Sequence, residues 1–343
     1  MTTLLRRHRL ARVAGIAVSV FSVWLVFRLV DVRATAEQLA RANPAPLAAA
    51  LGVIAFQLLL RTIRWRALLA VTDPPGPLRI RALLPVLLVG YLGNAVLPAR
   101  LGEPIRAYLV ARQERIDGAR AFGTVVLERV LDTASLAWLA FGAAVAASAA
   151  SWLVQATGLV AAAGVVGVLV LVSGGVGLVT QWLESVGVRL RVQRAADLVR
   201  FIRLVASGAD GAVQRGTVTL AIGVSLACWL LDATTFWLVG RSIGIDLAPA
   251  VALLIAAVTV LGTAIPSAPG YVGTFELAAA YTAGALGVPG SSALALAVLA
   301  HAVTVLPVAI AGAASVAASG SSLGAMSVGA EQMRGASATS PPS

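Results

Sequence analysis

The sequence predicts an all-α, polytopic membrane helix bundle, and three observations carry that reading. Of its 343 residues, 59% are hydrophobic and only 12% are charged, about half the charged share of an ordinary soluble domain. Several apolar stretches exceed the roughly 20 residues that cross the hydrocarbon core of a bilayer. Two further segments, residues 90–106 (GYLGNAVLPARLGEPIR) and 260–276 (VLGTAIPSAPGYVGTFE), interrupt apolar runs with Gly and Pro and carry a Glu. Paired Gly/Pro-broken apolar segments, one in each half of a membrane chain, point to a transport site at a repeat interface.

Apolar segments are expected at residues 13–30, 46–60, 83–97, 122–147, 153–179, 218–239, 251–285 and 293–317. The first has a basic start, like a signal peptide, but its apolar body is longer than a signal core. It predicts an uncleaved helix. Residues 83–97 and 251–285 should be irregular, the latter breaking between Pro266 and Gly270, because Pro removes a helical donor and Gly weakens the helix. Lipid tolerates such backbone only where protein or a wet cavity covers it. Residues 31–40 read as a short interfacial helix. Residues 188–205 combine apolar positions at helical spacing with Arg194, Arg200 and Arg203, as in a basic amphipathic helix on anionic headgroups. The whole reads as one transmembrane domain, residues 1–318, with halves at about 10–150 and 151–318. A Ser/Gly/Ala/Pro-rich tail over 319–343 is expected to be disordered.

All 26 basic residues are arginine, and their placement sets the topology. They gather at the N-terminus (Arg6, Arg7, Arg9, Arg12), after the second segment (Arg61, Arg64, Arg66, Arg79, Arg81), after the first break (Arg100 to Arg120) and before residue 218 (Arg189 to Arg215). The opposite side holds Arg28, Arg33, Arg41 and Arg241. Basic loops face the cytoplasm, so residues 83–97, basic on both flanks, must leave and return on that side. Six full spans plus two re-entrant segments follow, arranged as an inverted repeat in the cell membrane with both termini cytoplasmic. The second break would open outside. Eight full spans is the alternative, since residues 251–285 are long enough for two short crossings. The net charge of +11 is explained by this topology and not by nucleic acid. One cysteine, Cys228, and two histidines, His8 and His301, exclude a disulfide framework and a Cys/His metal cluster. No cofactor is expected.

Several charged residues fall where lipid should exclude them. Arg100, Glu103 and Arg106 are spaced three apart, so a helix through them would align them on one side. Guanidinium forks match phosphate oxygens, and a helix N-terminus at a break adds backbone donors. A phosphate-bearing ligand is the corresponding expectation, with Asn94, Arg61 and Arg64 as further donors; anchoring at the interface is the bland reading. Glu128, Arg129 and Asp132 lie inside an apolar helix. Ionisable residues at that depth face a bundle interior or a water-filled path, either as a functional group or as an ion-pair network between helices. Glu128 and Asp132 share a face, and Arg129 points elsewhere, so Arg61, Arg64 or Arg100 is the expected partner. Glu103, Glu128, Asp132, Asp232 and Glu276 are the carboxylates that would hold a proton or a headgroup amine. Pro98, Gly102, Pro266, Pro269, Gly270 and Gly273 mark the breaks. His301, alone in the last helix, reads first as a helix–helix hydrogen-bond partner and second as a proton relay.

At GNAVLPARLGEPIRAYLVAR, LERVLDTASLAWL and IPSAPGYVGTFELAAAY the chain resembles the flippase-like membrane region of lysylphosphatidylglycerol synthases. The shared motifs are N-x-x-L-P-x-R-x-G-E-x-x-R, E-R-x-x-D and P-x-x-P-G-x-x-G-x-x-E, over roughly residues 10–318. They fall here on Asn94, Pro98, Arg100, Gly102, Glu103, Arg106, Glu128, Arg129, Asp132, Pro266, Pro269, Gly270, Gly273 and Glu276. The resemblance implies movement of a phospholipid or polyprenyl-linked lipid between leaflets. It also implies a partner, because the region occurs joined to a soluble aminoacyl-transfer domain or to archaeal polyprenyl-phosphate glycosyltransferases. The sequence ends at Ser343 without such a domain, so it is not expected to make lysyl lipid by itself. The expected function is lipid translocation with membrane lipids as partners. The alternatives are a membrane subunit docking a separate synthase or glycosyltransferase, and an integral-membrane lipid transferase.

Overall fold

The computed structural model describes residues 31–97, 100–173, 216–263 and 268–319, with residues 20–22, 24, 25 and 181 in addition. Within these, ten α-helices and two 3₁₀ turns have defined bounds. They are α1 (Val32–Ala40), α2 (Pro44–Leu69), α3 (Ile80–Val96), α4 (Gly102–Glu114), α5 (Gly118–Ala146), α6 (Ser151–Val172), α7 (Thr217–Ser242), α8 (Pro249–Gly262), α9 (Thr274–Ala285) and α10 (Gly290–Ala318). The turns are Ala70–Thr72 and Pro269–Tyr271. Five helices (α2, α5, α6, α7 and α10) are long and apolar enough to cross a membrane, and α3 and α8 are shorter apolar helices. The protein is an all-α, multi-pass integral membrane bundle. The expectations for residues 188–205, for most of residues 13–30, for Pro98 and Pro266, and for the tail after Ser319 lie outside the described residues.

Local chemistry places the helix starts. Asp31 accepts from the Arg33 and Ala34 amides and opens α1. Asn43 accepts from Ala45 N, with Pro44 at the first helical position of α2, where a missing N–H costs nothing. Asp117 accepts from Arg120 N and opens α5. Each cap satisfies a backbone donor that the helix itself leaves orphaned.

Two runs of four helices match in length. The first, α2 to α5, has 26, 17, 13 and 29 residues; the second, α7 to α10, has 26, 14, 12 and 29. Their packing matches as well. The leading long helices α2 and α7 pack on each other, α3 packs on α10 as α8 packs on α5, and the short pairs α3/α4 and α8/α9 each form a hairpin against the long helix that follows. One end of the bundle gathers α1, the end of α7 and the start of α10. Gln38 Nε2 donates to Ile243 O, Asn43 N to Ser242 O, and Thr35 Oγ1 to Ser291 O.

The first break differs from the expectation in extent. It is a pair of packed helices, Ile80–Val96 and Gly102–Glu114, not one segment over 83–97. The crossing of its arms depends on glycine: a Cβ on Gly102 would stand 1.8 Å from Gly90 O, and one on Gly93 would stand 2.7 Å from Gly102 Cα. Arg100 therefore falls in the turn, with φ of 53°, and is not on the helix that carries Glu103 and Arg106.

Candidate functional site: a buried ion network beside two helix breaks

α5 carries Glu128, Arg129 and Asp132 into the bundle. Asp132 stands fourteen residues after Gly118, or ~21 Å along the axis at 1.5 Å per residue, near the middle of the helix. α2 supplies Arg64 and α4 supplies Arg106. Glu128 Oε1 receives Arg129 Nη2 at 2.6 Å, Arg106 Nη2 at 2.9 Å and Arg64 Nη2 at 3.2 Å. Asp132 is paired with Arg64 and with Arg129, the latter at 3.1 Å. Ser225 on α7 donates to Asp132 Oδ1 at 2.9 Å and accepts from Arg64 Nη1 at 2.5 Å. Glu103 reaches Arg129 Nε at 3.7 Å. Three guanidiniums thus meet three carboxylates with no net charge, which is what a low-dielectric interior requires.

This geometry corrects one expectation. Arg129 does not point away from Glu128 and Asp132; its long side chain folds back onto both. Arg64 is a partner as expected, Arg106 is an unexpected one, and Arg100 is not among them. Arg106 also lies over the Trp65 ring, 5.0 Å from its centroid. Arg61 pairs with Asp232 at 3.2 Å and lies over Trp229 at 5.4 Å. Asn94 Oδ1 accepts from Gly102 N at 3.0 Å and so caps α4. Arg64 and Arg106 are 1% and 3% exposed and committed to carboxylates, whereas the Arg129 and Glu103 side chains are 30% and 21% exposed.

The two breaks meet. Arg100 Nη2 donates to Thr263 O, at the end of α8, at 2.9 Å. Its guanidinium also lies 5.7 Å from the centroid of the Tyr271 ring, within cation–π range. A Cβ on Gly270 (φ of 73°) would approach Ala95 O to 3.3 Å, so the 3₁₀ turn packs directly on the end of α3. The second break has no basic residue of its own, and the first break supplies one.

The second half holds its own polar pair. Glu276 Oε2 accepts from Gly273 N at 2.7 Å and caps α9. Its Oε1 is 2.5 Å from His301 Nδ1, and His301 Nε2 is 2.8 Å from Gly270 O. His301 is therefore the helix–helix partner the sequence suggested. The matched helix lengths align this pair with the first half: Arg129 stands eleven residues after Gly118, and His301 eleven after Gly290. Arg129–Glu103 and His301–Glu276 occupy corresponding places.

Sequence reasoning missed Trp65, Ser225, Tyr271 and Tyr91. Among the described residues, Tyr91 Oη, Trp65 Nε1, Arg64 Nε and Arg129 Nε are buried without a protein hydrogen-bond partner. Nothing local marks these residues, since each acquires its place only through packing between elements. Among the described residues no group of acidic, His or Cys side chains could hold a metal.

Comparison with known proteins follows the same lines. Residues 12–312 match the family described as Lysylphosphatidylglycerol synthase TM region. The chain is 30% identical over 309 residues to Glycosyltransferase AglD of Haloferax volcanii, an alignment covering 79% of this chain and 48% of that protein. It therefore spans about half the length of AglD. It is 27% identical over 262 residues to a UPF0104 membrane protein of Methanothermobacter thermautotrophicus, covering 70% of this chain and 75% of the relative. No solved structure matches it.

Proposed function

This chain belongs to the lysylphosphatidylglycerol synthase transmembrane-region family, and on that premise we propose that it moves a phosphate-bearing phospholipid or polyprenyl-phosphate-linked lipid between leaflets. The observation that carries the proposal is the contact of the two breaks through Arg100. Two interrupted helical hairpins that abut inside a bundle give irregular backbone a place covered by protein, with polar side chains at the seam. Arg100, Arg129, Glu103 and Tyr91 all lie within electrostatic range of Tyr271 at that seam. Arg129 Nε and Tyr91 Oη, which lack a protein hydrogen-bond partner, are donors that a phosphate oxygen would satisfy, since a buried donor left without a hydrogen bond is costly.

The binding role narrows accordingly. Arg61, Arg64, Arg106 and Asn94 are engaged within the protein, and their role is to hold the seam in shape. Arg100 and the partly exposed Arg129 are the phosphate donors, and the partly exposed Glu103 is the carboxylate that would meet a headgroup amine, Asp232 being held by Arg61. The lipid tails stay in the bilayer while the headgroup crosses along the seam.

The topology that serves this is an inverted repeat of six spans and two re-entrant hairpins. If α3/α4 returns to its side of entry, three crossings among the described residues (α2, α5 and α6) separate the start of α2 from the start of α7. An odd number reverses the second half relative to the first. The outward end would then be the one gathering α1, Ile243 and Ser291, where few arginines lie, and the termini would be cytoplasmic.

The test is native mass spectrometry of lipids retained by the purified protein. A phosphate lipid should accompany the wild type and be lost from Arg100→Ala. Equal retention by both, or no phosphate lipid in either, rejects the binding reading. A second reading has one observation behind it: about half of AglD lies outside the alignment. The domain would then serve a separate lipid-modifying enzyme, and co-purification of such an enzyme with the intact chain tests that.

A further inference from the structure

We infer that His301 and Glu276 form a proton-binding site that latches the second break, so that protonation gates the lipid passage proposed above, on which this inference rests. The partners of the His301 ring fix how many protons the pair holds. His301 Nε2 lies 2.8 Å from Gly270 O, and a carbonyl oxygen only accepts, so Nε2 carries a hydrogen. Nδ1 lies 2.5 Å from Glu276 Oε1, and that contact holds only with a second proton between them, on the ring or on the carboxyl. With two protons the chain Glu276–His301–Gly270 ties the start of α9, the middle of α10 and the 3₁₀ turn together. With one proton, the Nδ1 lone pair faces a carboxylate and the attraction becomes repulsion. Glu276 stays fastened to its own helix through Gly273 N at 2.7 Å, so the contact that fails is the one to α10.

The repeat sharpens the point. At the corresponding place in the first half stands Arg129 beside Glu103 at 3.7 Å, and a guanidinium does not lose its proton at any pH a protein meets. One latch is permanently charged and the other is titratable, through the only side chain whose ordinary range lies near neutrality. The imidazole is 8% exposed and stacks on Phe275, centroids 4.4 Å apart at 14°, so its setting is fixed by packing as well as by hydrogen bonds.

Among the described residues, no other charged group pairs with His301. The elements packed on it are α1, α2, α3, α7 and α9, with the 3₁₀ turn at Gly270. On α1, Arg33 pairs with Glu37; between α2 and α7, Arg61 pairs with Asp232, and Arg64 pairs into the α5 network. Arg66 lies in the last turn of α2. Arg241 lies over Trp237, Cys228 is buried in α7, Arg81 is exposed at the start of α3, and Tyr91 sits in range of Arg61 and Arg129. On α9, Tyr281 is 63% exposed, and Tyr271 of the turn lies under Arg100. Glu276 is the carboxylate that touches His301.

The test uses the sequence's economy in histidine. With His8→Gln, His301 is the sole histidine, so ¹⁵N-histidine NMR of the full chain in lipid nanodiscs reports it alone. The ring should show Nε2 as donor to Gly270 O and Nδ1 sharing a proton with Glu276, and Glu276→Gln should remove the shared-proton signature at Nδ1. A bare Nδ1 in the wild type, or an Nδ1 signature untouched by Glu276→Gln, overturns the site. The gate is read by the pH dependence of lipid translocation in proteoliposomes, which His301→Gln should flatten. Translocation that responds to pH equally in both proteins overturns the gate. The NMR arm needs no lipid movement, so a protein that shows the shared proton but moves no lipid refutes the translocation proposal and leaves the proton site supported.

Discussion

Glu128 accepts from Arg64, Arg106 and Arg129, each from a different helix or turn of helix. Removing that carboxylate leaves three buried guanidiniums answered by Asp132 and Glu103 alone. Glu128→Ala should cost about 3–5 kcal/mol, the usual effect of orphaning a buried charge, read as a lower unfolding temperature of the purified protein in detergent. Glu103→Gln, at a partly exposed pair, should cost no more than ~1 kcal/mol. An equal cost for the two would contradict the ranking. The sequence already showed that Glu128 and Asp132 needed cations, because carboxylates that deep in an apolar helix cannot stand alone. It did not show which arginines answered them. Arg106 and Arg64 are 42 positions apart in sequence, and only the folded hairpin puts both beside α5. Arg129 was misplaced for a simpler reason: helical spacing describes where Cβ atoms point, and a side chain of Arg length can fold back over a neighbour at i+3.

At the scale of an element, the α3/α4 hairpin depends on what its glycines lack. A methyl group on Gly102 would be driven to 1.8 Å from Gly90 O, and the neighbours are backbone atoms that cannot rotate away. Gly102→Ala should therefore separate the hairpin arms and sharply reduce the yield of folded protein, measured by size-exclusion chromatography of the solubilised chain. Gly52→Ala, with nothing within 4 Å, should leave yield unchanged or raise helix stability slightly. Long apolar helices were legible because composition and length suffice to mark them. The breaks were legible from Pro and Gly, but the extent of the first was not. Residues 102–114 carry two Arg, two Glu and Gln113, so by composition they read as a polar loop flank, while in the fold their apolar side, with Ile105, Ala107 and Val110, is buried against α3 and α5.

For the whole molecule, the matched helix runs and the matched packing support a duplicated half, and the arginine distribution supports its inversion. Cysteines placed in a Cys228→Ala chain test the topology. Gly76→Cys and Arg112→Cys should react with an impermeant reagent only from the cytoplasmic side, and Arg33→Cys and Asp246→Cys only from outside. Labelling of Arg112→Cys from outside would mean that α3 and α4 cross the membrane instead of returning. The paired broken segments were legible; the matching positions of Arg129 and His301 in their helices were not, because the two share no chemistry that a motif could record. The central claim is that the seam between the breaks passes a lipid phosphate. Its most direct measurement is translocation of labelled anionic, aminoacylated and polyprenyl-phosphate lipids in proteoliposomes holding wild type or Arg100→Ala at equal density. The account predicts transport of at least one of these by the wild type and a loss of about tenfold or more in Arg100→Ala, equivalent to roughly 1.4 kcal/mol of lost stabilisation in passage. Equal rates in the two proteins, or no transport of any of these lipids, would contradict it.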